Sequence, residues 1–161
     1  MLEDTVTLSS DSVFCTFRVQ DRLFGINVAA LREISTNTVT TPVPQSPPAV
    51  RGLAHLRSRV FLVIDLRPML GLKASECTAD SRLIILKPGI AEDVGVLVDG
   101  GGDIVRVSRE QIEPCNPSAN DRDSSTERVA PFVVAIGKLD RELLMIVDVK
   151  LLVDAVTRAI R

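Results

Sequence analysis

The stretch at positions 52–67, G-L-A-H-L-R-S-R-V-F-L-V-I-D-L-R, decides the fold. Its five consecutive apolar residues at 60–64 are bounded by charged residues, and such a run is typical of a β-strand that is buried on both faces. We expect a tight turn at Gly52 and a basic tip formed by Arg57 and Arg59 just before this strand. Two arginines held by a rigid strand lose little chain entropy on binding, so the pattern fits docking to another protein, and it fits a solubilising tip equally well.

The composition limits the classes of partner. The 161 residues are 45% hydrophobic and 25% charged, which fits one globular domain or two small subdomains that share a core. The net charge of −2 and the aromatic content of 3% give no basic or stacking surface, so we expect no nucleic-acid partner. No apolar run approaches the roughly 20 residues of a membrane helix, so we expect no direct membrane insertion.

The cysteines and the N-terminus favour a soluble cytoplasmic protein. Cys15, Cys77 and Cys115 are odd in number, far apart and without a CxxC pair. Neither a disulfide framework nor a metal site is therefore expected. Residues 1–12 are acidic and polar, unlike a signal peptide, and we interpret them as a flexible arm.

Period-2 alternation of apolar residues predicts a mainly β protein, and only the segment after position 149 has helical spacing. Positions 29–34 fit a helical turn or a strand equally well. The prolines at 42, 44, 47 and 48 indicate a loop. Gly100 to Gly102 suggest a flexible hinge, and residues 116–128 suggest a mobile loop. The predicted strands are 13–19, 23–28, 60–66, 83–86, 94–98, 104–107, 132–136 and 143–147.

The two halves of the sequence echo each other. The pattern G-I-x-V at 25–28 recurs 70 positions later as G-V-x-V, and the apolar run at 60–64 with D-L-R recurs 83 positions later with D-V-K. The 13 additional residues fall where the 116–128 loop lies. Spacing alone leaves both duplication and chance open, because alternating patterns recur in any β protein. A duplication would predict two similar small β-barrels packed face to face.

No catalytic, cofactor or metal site emerges from the sequence. His55 has no nucleophile to serve, and we interpret it as a solvent-exposed turn residue. Asp65, Asp99 and Asp148 each follow an apolar run, where a carboxylate more often caps a turn than binds a metal. The D-G-G-G-D stretch at 99–103 lacks the Lys-Ser/Thr pair of a phosphate-binding loop. The chain is therefore not expected to be an enzyme.

Several motifs, in this order, resemble the CheW-like chemotaxis coupling proteins over about positions 13–152. They are F-G at 24–25, L-R-E-I at 31–34, V-P-Q-S-P at 43–47, Gly52, V-I-D-L-R at 63–67, V-G-V-L-V-D at 94–99 and the ending at 143–152. The resemblance implies two five-stranded SH3-like β-barrels sharing an apolar core, with a C-terminal helix. It implies one CheW-like domain over 13–161, made of two intertwined barrel subdomains.

The same resemblance implies a function and its residues. The expected function is a non-catalytic adaptor that couples the cytoplasmic tip of a methyl-accepting chemoreceptor to the regulatory domain of a CheA-type histidine kinase. Receptor contact would involve Arg57 and Arg59, with Glu33 and Gly52 at other positions needed for binding, and the kinase would use a separate surface on the second barrel. An adaptor of a non-flagellar pathway, such as pilus or surface motility, is the alternative, and a small β-barrel oligonucleotide-binding protein is the alternative of another class.

The chain departs from the family pattern at four positions. His55 replaces an asparagine, Ser58 a glycine and Leu62 a proline, while Gly101 stands where an apolar residue is expected. Three of these positions belong to the turn and strand on the receptor side. The fold should therefore follow the family, while the partner stays open between the two adaptor roles.

Overall fold

The computed structural model describes residues 11–115 and 130–160. Within these residues there are two helices, α1 (Leu66–Met69) and α2 (Val149–Ile160), together with short 3-10 turns at Val28–Ala30 and Arg109–Gln111. In chain order the strands are β1 (Asp11–Val19), β2 (Arg22–Asn27), β3 (Leu31–Ser35), β4 (Val50–Leu56), β5 (Arg59–Asp65), β6 (Arg82–Leu86), β7 (Val94–Val98), β8 (Gly100–Ser108), β9 (Ile112–Pro114), β10 (Val133–Lys138) and β11 (Leu143–Val147).

These strands form two sheets, which confirms the mainly β prediction. One sheet has six strands in the order β8-β1-β2-β11-β10-β9, and the other has five in the order β3-β6-β7-β5-β4. Within the described residues the chain passes between the sheets twice, from β2 to β3 and from β7 to β8. The five-stranded sheet is therefore a continuous stretch of chain inserted into the six-stranded one.

The pairing reproduces the echo seen in the sequence. In the six-stranded sheet β11 runs parallel to β2 and places Ile146 opposite Gly25. In the five-stranded sheet β5 runs parallel to β7 and places Val63 opposite Gly95. The two glycines are 70 positions apart and the two partners 83 positions apart, as the repeat requires. Each sheet therefore combines strands from both halves, and the two halves of the chain are intertwined.

The sixth strand has a reduced counterpart in the other sheet. Strand β9 lies beside β10, with Glu113 opposite Ile136. At the corresponding edge of the five-stranded sheet, Thr41 alone forms a bridge to Leu53 on β4. The four prolines between positions 42 and 48 limit strand pairing there, since each removes a backbone donor. One sheet thus has the expected five strands and the other has six.

Among the described residues, three apolar clusters form the interior. Each sheet wraps around its own cluster, and a third lies between the sheets and beneath α2. The cluster within the six-stranded sheet contains Phe14, Leu23, Val107, Ala135, Leu144 and Ile146. The one within the five-stranded sheet contains Ala54, Phe61, Val63, Leu83, Ile85 and Leu97. The shared cluster includes Phe17, Phe24, Ile26, Ile64, Ile84, Val96, Val98, Val147, Leu152 and Val156.

Alternation along β5 explains why its apolar run is continuous. Val63 points into the cluster of its own sheet, and Ile64 points into the cluster shared with the other sheet. Both faces of the strand are therefore buried at positions 63–64, as the run predicts, whereas Val60 at the start of the run is 53% exposed. Six apolar residues of the predicted strands are all buried: Val63, Ile64, Val96, Val98, Ile146 and Val147.

The predicted flexible hinge at Gly100 to Gly102 is wrong, because these residues begin strand β8. Gly101 pairs with Phe17 where the β1–β8 register shifts. A Cβ at Gly101 would lie 2.4 Å from the Cα of Phe17, and the φ of Gly101 is +129°. The glycine permits a close backbone approach at a β-bulge, which explains why no apolar side chain stands at this position.

The remaining predictions concern the ends and the long loop. Strand β1 begins at Asp11, two residues inside the range interpreted as an arm, and residues 1–10 lie outside the described part. The predicted mobile loop at 116–128 also lies outside it. Positions 29–34 divide between a 3-10 turn and strand β3. No helix among the described residues is both long and apolar enough to cross a membrane.

Candidate protein-binding surface

The basic tip is the turn of the β4–β5 hairpin. Leu56 pairs with Arg59, which leaves Arg57 and Ser58 as a two-residue loop with φ values of +49° and +67°. Positive φ at both central residues is the requirement of a type I′ turn, whose twist matches that of the flanking strands. The predicted turn at Gly52 is wrong, since this residue lies within β4 and the chain turns five residues later.

Arg57 is held in place although it is highly exposed. Its guanidinium lies 2.7 Å from the Glu33 carboxylate, and 80% of the Arg57 side chain is exposed against 26% of the Glu33 side chain. Glu33 lies on β3, which is one edge strand of the five-stranded sheet, and β4 is the other edge strand. The ion pair therefore joins the two edges of a curled sheet and restricts the orientation of the Arg57 side chain.

Arg59 is tied down in a different way. Its Nε and one terminal nitrogen donate to the same Asp93 oxygen, at 3.1 and 2.9 Å. Asp93 immediately precedes β7, and its carbonyl accepts a 2.8 Å hydrogen bond from the Leu62 N–H. These contacts attach the β5 side of the hairpin, from the residue after the turn onward, to the start of the neighbouring strand β7. A proline at position 62 would lack the N–H that makes the backbone contact.

Gly52 supports the surface from beneath and presents no side chain to a partner. A Cβ at Gly52, whose φ is +147°, would lie 2.3 Å from the Thr41 carbonyl oxygen. Next to it, Thr41 and Leu53 exchange two backbone hydrogen bonds of 2.8 Å. The absence of a side chain at position 52 thus allows the 36–41 loop to approach β4.

A shallow groove beside the tip was missed by sequence reasoning. It has a volume of about 550 Å³ and is lined by Asn37, Val39, Thr41, Leu53, His55 and Val60. Three of these are exposed large apolar residues, Val39 being 77% exposed. Alternation could have identified the strand residues, because Ala54 and Phe61 point into the sheet and leave Leu53, His55 and Val60 on the outer face. His55 is exposed as predicted, on strand β4 just before the turn.

Glu33, Gly52, Arg57 and Arg59 are thus brought into one region of the five-stranded sheet, although their roles differ. Arg57 and Arg59 form the tip, Glu33 orients Arg57, and Gly52 shapes the backbone. The groove adds an apolar surface next to the two cations. This combination of apolar and guanidinium groups is typical of a protein-binding surface.

The carboxylates considered for metal or acid–base chemistry have structural partners. Asp65 accepts the Arg67 N–H at 3.1 Å and Asp148 accepts the Lys150 N–H at 2.9 Å, which confirms that they cap turns. Asp99 instead binds the Arg67 guanidinium. Within residues 11–115 and 130–160, no group of three or more His, Cys, Asp or Glu side chains could hold a metal ion.

The three cysteines are free thiols. Burial, and secondly the charge of Asp103, raises the pKa of the Cys15 thiol. Burial and the nearby Glu113 also raise the pKa of Cys115. Both thiols are therefore held in the protonated form, which is the less nucleophilic one.

Comparison with known proteins identifies the family. The family model of the CheW-like domain matches residues 13–157, which include both sheets and most of α2. The chain belongs to the CheW-like family. Proteins of this family are non-catalytic scaffold proteins of chemotaxis, so this CheW-like chain is an adaptor in signal transduction and not an enzyme.

Individual relatives agree with this assignment. Chemotaxis protein CheW of Rhizobium meliloti (strain 1021) is 39% identical over 112 residues, which cover 70% of this chain and 72% of the relative. Chemotaxis protein CheW of Bacillus subtilis (strain 168) is 30% identical over 151 residues, covering 93% and 92%. The crystal structure of the scaffolding protein TtCheW from Thermoanaerobacter tengcongensis superposes with a TM-score of 0.72 at 25% identity, covering 85% of this chain and 88% of that one. The CheW-like fold thus extends over both sheets, including the hairpin and groove described above.

Proposed function

We propose that this protein couples the cytoplasmic tip of a methyl-accepting chemoreceptor to the regulatory domain of a CheA-type histidine kinase in the cytoplasm. The observation that carries the proposal is the CheW-like match over residues 13–157. Two sheets with separate interiors and one shared core support it, because such a body offers two distinct binding faces at a fixed separation. A scaffold needs both faces and no reactive group.

The receptor side is assigned to the tip of the β4–β5 hairpin and its groove. Arg57 is the anchor, since it is the most exposed of the oriented cations and its partner Glu33 already limits its motion. An ordered arginine loses less side-chain entropy on binding than a free one. Leu53 and Val60 supply apolar contact beside it, and Arg59 holds the hairpin against Asp93.

The kinase side is assigned to the six-stranded sheet. The β10–β11 hairpin of that sheet corresponds to the β4–β5 hairpin through the 83-residue repeat. It carries the exposed Leu143 at the position that matches Val60. Two related hairpins on different sheets allow two partners to bind at the same time.

Titration calorimetry with a receptor-tip fragment and a kinase regulatory domain tests the proposal. Arg57→Ala is expected to weaken receptor binding by about 1–3 kcal/mol, as loss of an interface anchor does, and to change folding stability by less than about 0.5 kcal/mol. Kinase affinity should be unchanged. The matched control is Arg141→Ala, which removes an exposed arginine from the turn of the corresponding hairpin and should leave receptor affinity unchanged.

Each outcome has a defined meaning. Equal receptor binding by the wild type and Arg57→Ala would remove Arg57 from the interface while leaving the adaptor role intact. Failure of the wild type to bind either partner would refute the proposed coupling. Binding only to the receptor and kinase of a pilus or surface-motility system would assign the adaptor to that non-flagellar pathway.

A further inference from the structure

The passage from β7 to β8 occupies a single residue. Val98 ends β7 in the five-stranded sheet and Gly100 begins β8 in the six-stranded one, so Asp99 alone lies between the two sheets. Asp99 also ends one of the motifs that carry the family resemblance, and Arg67 ends another. The receptor surface described above involves neither Asp99 nor Arg67.

Asp99 is bound from both sides of this passage. From the five-stranded sheet, Arg67 lies just after β5, and its guanidinium donates to the two carboxylate oxygens of Asp99 at 3.0 and 2.7 Å. From the six-stranded sheet, the Gln20 N–H in the β1–β2 turn donates to the same carboxylate at 2.6 Å. The Asp99 N–H in turn donates to the Arg18 carbonyl at 3.0 Å. One side chain thus connects elements of both sheets through charge-assisted hydrogen bonds.

The same contacts continue toward the candidate receptor surface. Asp65, only 3% exposed, accepts the Arg67 N–H through one oxygen and binds Arg51 at 3.0 Å through the other. Arg51 lies on β4, the strand that leads into the basic tip. A continuous series of ion pairs and hydrogen bonds therefore runs from β4 through Asp65 and Arg67 to Asp99 and the six-stranded sheet.

At the other passage between the sheets in the described part of the chain, from β2 to β3, the repeat does not supply the same side chains. Its 3-10 turn, Val28–Ala30, has a hydrogen bond from the Ala29 N–H to the neighbouring Asn27 side chain. The positions that match Asp99, Arg67 and Arg51 are occupied by Ala29, Lys150 and Val134. The ionic connection is therefore present on one side of the molecule, while the shared cluster between the sheets is apolar.

We propose that the Arg67–Asp99 pair is a clasp that couples the two binding faces, so that occupation of the β4–β5 surface changes the affinity of the six-stranded sheet for its partner. The clasp fixes one edge of an apolar interface that could otherwise slide by small shear movements. Arg67 and Asp99 act as positioning residues and contact neither partner. This proposal rests on the proposed function in that it assigns one partner to each sheet.

Binding measurements on three proteins test the coupling. The affinity for the kinase regulatory domain is measured with and without a saturating receptor-tip fragment, for the wild type, Asp99→Asn and Glu113→Gln. Asp99→Asn removes the charge but keeps a side chain of the same size. Glu113→Gln is the matched control, because the Lys138–Glu113 pair of 3.2 Å joins two strands of the six-stranded sheet only, and Glu113 on β9 lies outside the β10–β11 hairpin.

We expect the receptor fragment to change kinase affinity several-fold in the wild type and in Glu113→Gln, within the roughly 5–150-fold range of coupled sites. In Asp99→Asn the receptor fragment should change kinase affinity by less than about two-fold. The affinity for each partner measured alone should differ from the wild type by about two-fold or less. Full coupling in a folded Asp99→Asn protein, or no coupling in the wild type, would overturn the proposal. If Asp99→Asn fails to fold, Arg67→Lys keeps the charge but loses the paired hydrogen bonds, and the same results apply.

A measurement without partners separates this proposal from the proposed function. Leu53→Ala alters the groove on the five-stranded sheet, and the amide resonance of Gln20 reports on the six-stranded one. The substitution should shift that resonance in the wild-type background and leave it unchanged in the Asp99→Asn background. An unshifted Gln20 resonance in the wild-type background would refute the clasp even if both partners bind.

Discussion

Ser58 has a φ of +67° in the second position of a type I′ turn, where glycine is the preferred residue. A non-glycine residue in this conformation costs about 1–2 kcal/mol, and the added freedom of glycine in the unfolded chain offsets about 0.5–1 kcal/mol of the relief. We predict that Ser58→Gly raises the free energy of unfolding by about 0.5–1 kcal/mol, measured by urea denaturation. Ser75→Gly, at an exposed loop position without positive φ, should not raise the free energy of unfolding. A lower free energy of unfolding in Ser58→Gly would show that Ser58 is not strained.

Gly52 is predicted to be far less tolerant of a side chain. Gly52→Ala places a Cβ against the Thr41 carbonyl, so we expect it to cost more than about 2 kcal/mol through strain and overpacking and to break the Thr41–Leu53 bridge. Gly71→Ala is the matched control, because Gly71 has a φ of +78° and no atom near its Cβ position. It should show the backbone cost alone, about 1–2 kcal/mol. Equal losses at the two positions, measured by guanidinium denaturation, would exclude the contact with Thr41 as the cause.

Some residue contacts were beyond the reach of sequence reasoning. The run at 63–67 indicated that Asp65 ends a strand, because a carboxylate after an apolar run caps a turn. The Arg57–Glu33 pair joins strands at opposite ends of a sheet, and nothing local in the sequence specifies that the sheet curls. The apolar groove depends on the bridge from Thr41 to Leu53, which forms only because the nearby backbone of Gly52 lacks a Cβ.

At the scale of the elements, the continuous apolar strands were predictable and the glycine-rich strand was not. Strand β5 is marked by its apolar run, since burial on both faces in the second half of the strand removes the usual alternation there. Strand β8 begins with three glycines, which locally are equally compatible with a hinge. What makes them a strand is a tertiary requirement, the close passage of Gly101 past Phe17.

Strand β5 also gives the element-scale prediction. Ile64 is 1% exposed and packs in the cluster between the sheets, so Ile64→Ala should lower the free energy of unfolding by about 2–5 kcal/mol. Val60, on the same strand but 53% exposed, is the control, and Val60→Ala should change stability by less than about 0.5 kcal/mol. Both free energies of unfolding are measured by denaturant titration. A loss below about 0.5 kcal/mol at Ile64 would be inconsistent with a buried strand.

For the whole molecule, the repeat predicts which segment can be shortened. Twelve positions separate Thr41 from its partner Leu53, whereas 23 separate the corresponding Glu113 and Ile136, a surplus of eleven. We predict that deleting eleven residues within 116–128 shifts the melting midpoint by less than about 3 °C, equivalent to roughly 1 kcal/mol at this size. Deleting 43–47, which has no surplus, should lower it strongly. Melting is measured by scanning calorimetry. Loss of the folded state on the deletion within 116–128 would contradict the repeat.

The exchange of strands between the halves determines the order in which the protein can be assembled during synthesis. All strands of the five-stranded sheet have left the ribosome once Val98 has emerged, whereas the β1–β2 hairpin must wait for β8 and β11. At about 5–20 residues per second, the interval up to Val147 lasts roughly 2–10 seconds. During that time Ile64, Ile84 and Val96 face no partner sheet, so the nascent chain presents an apolar surface that a chaperone could recognise and that the finished protein conceals.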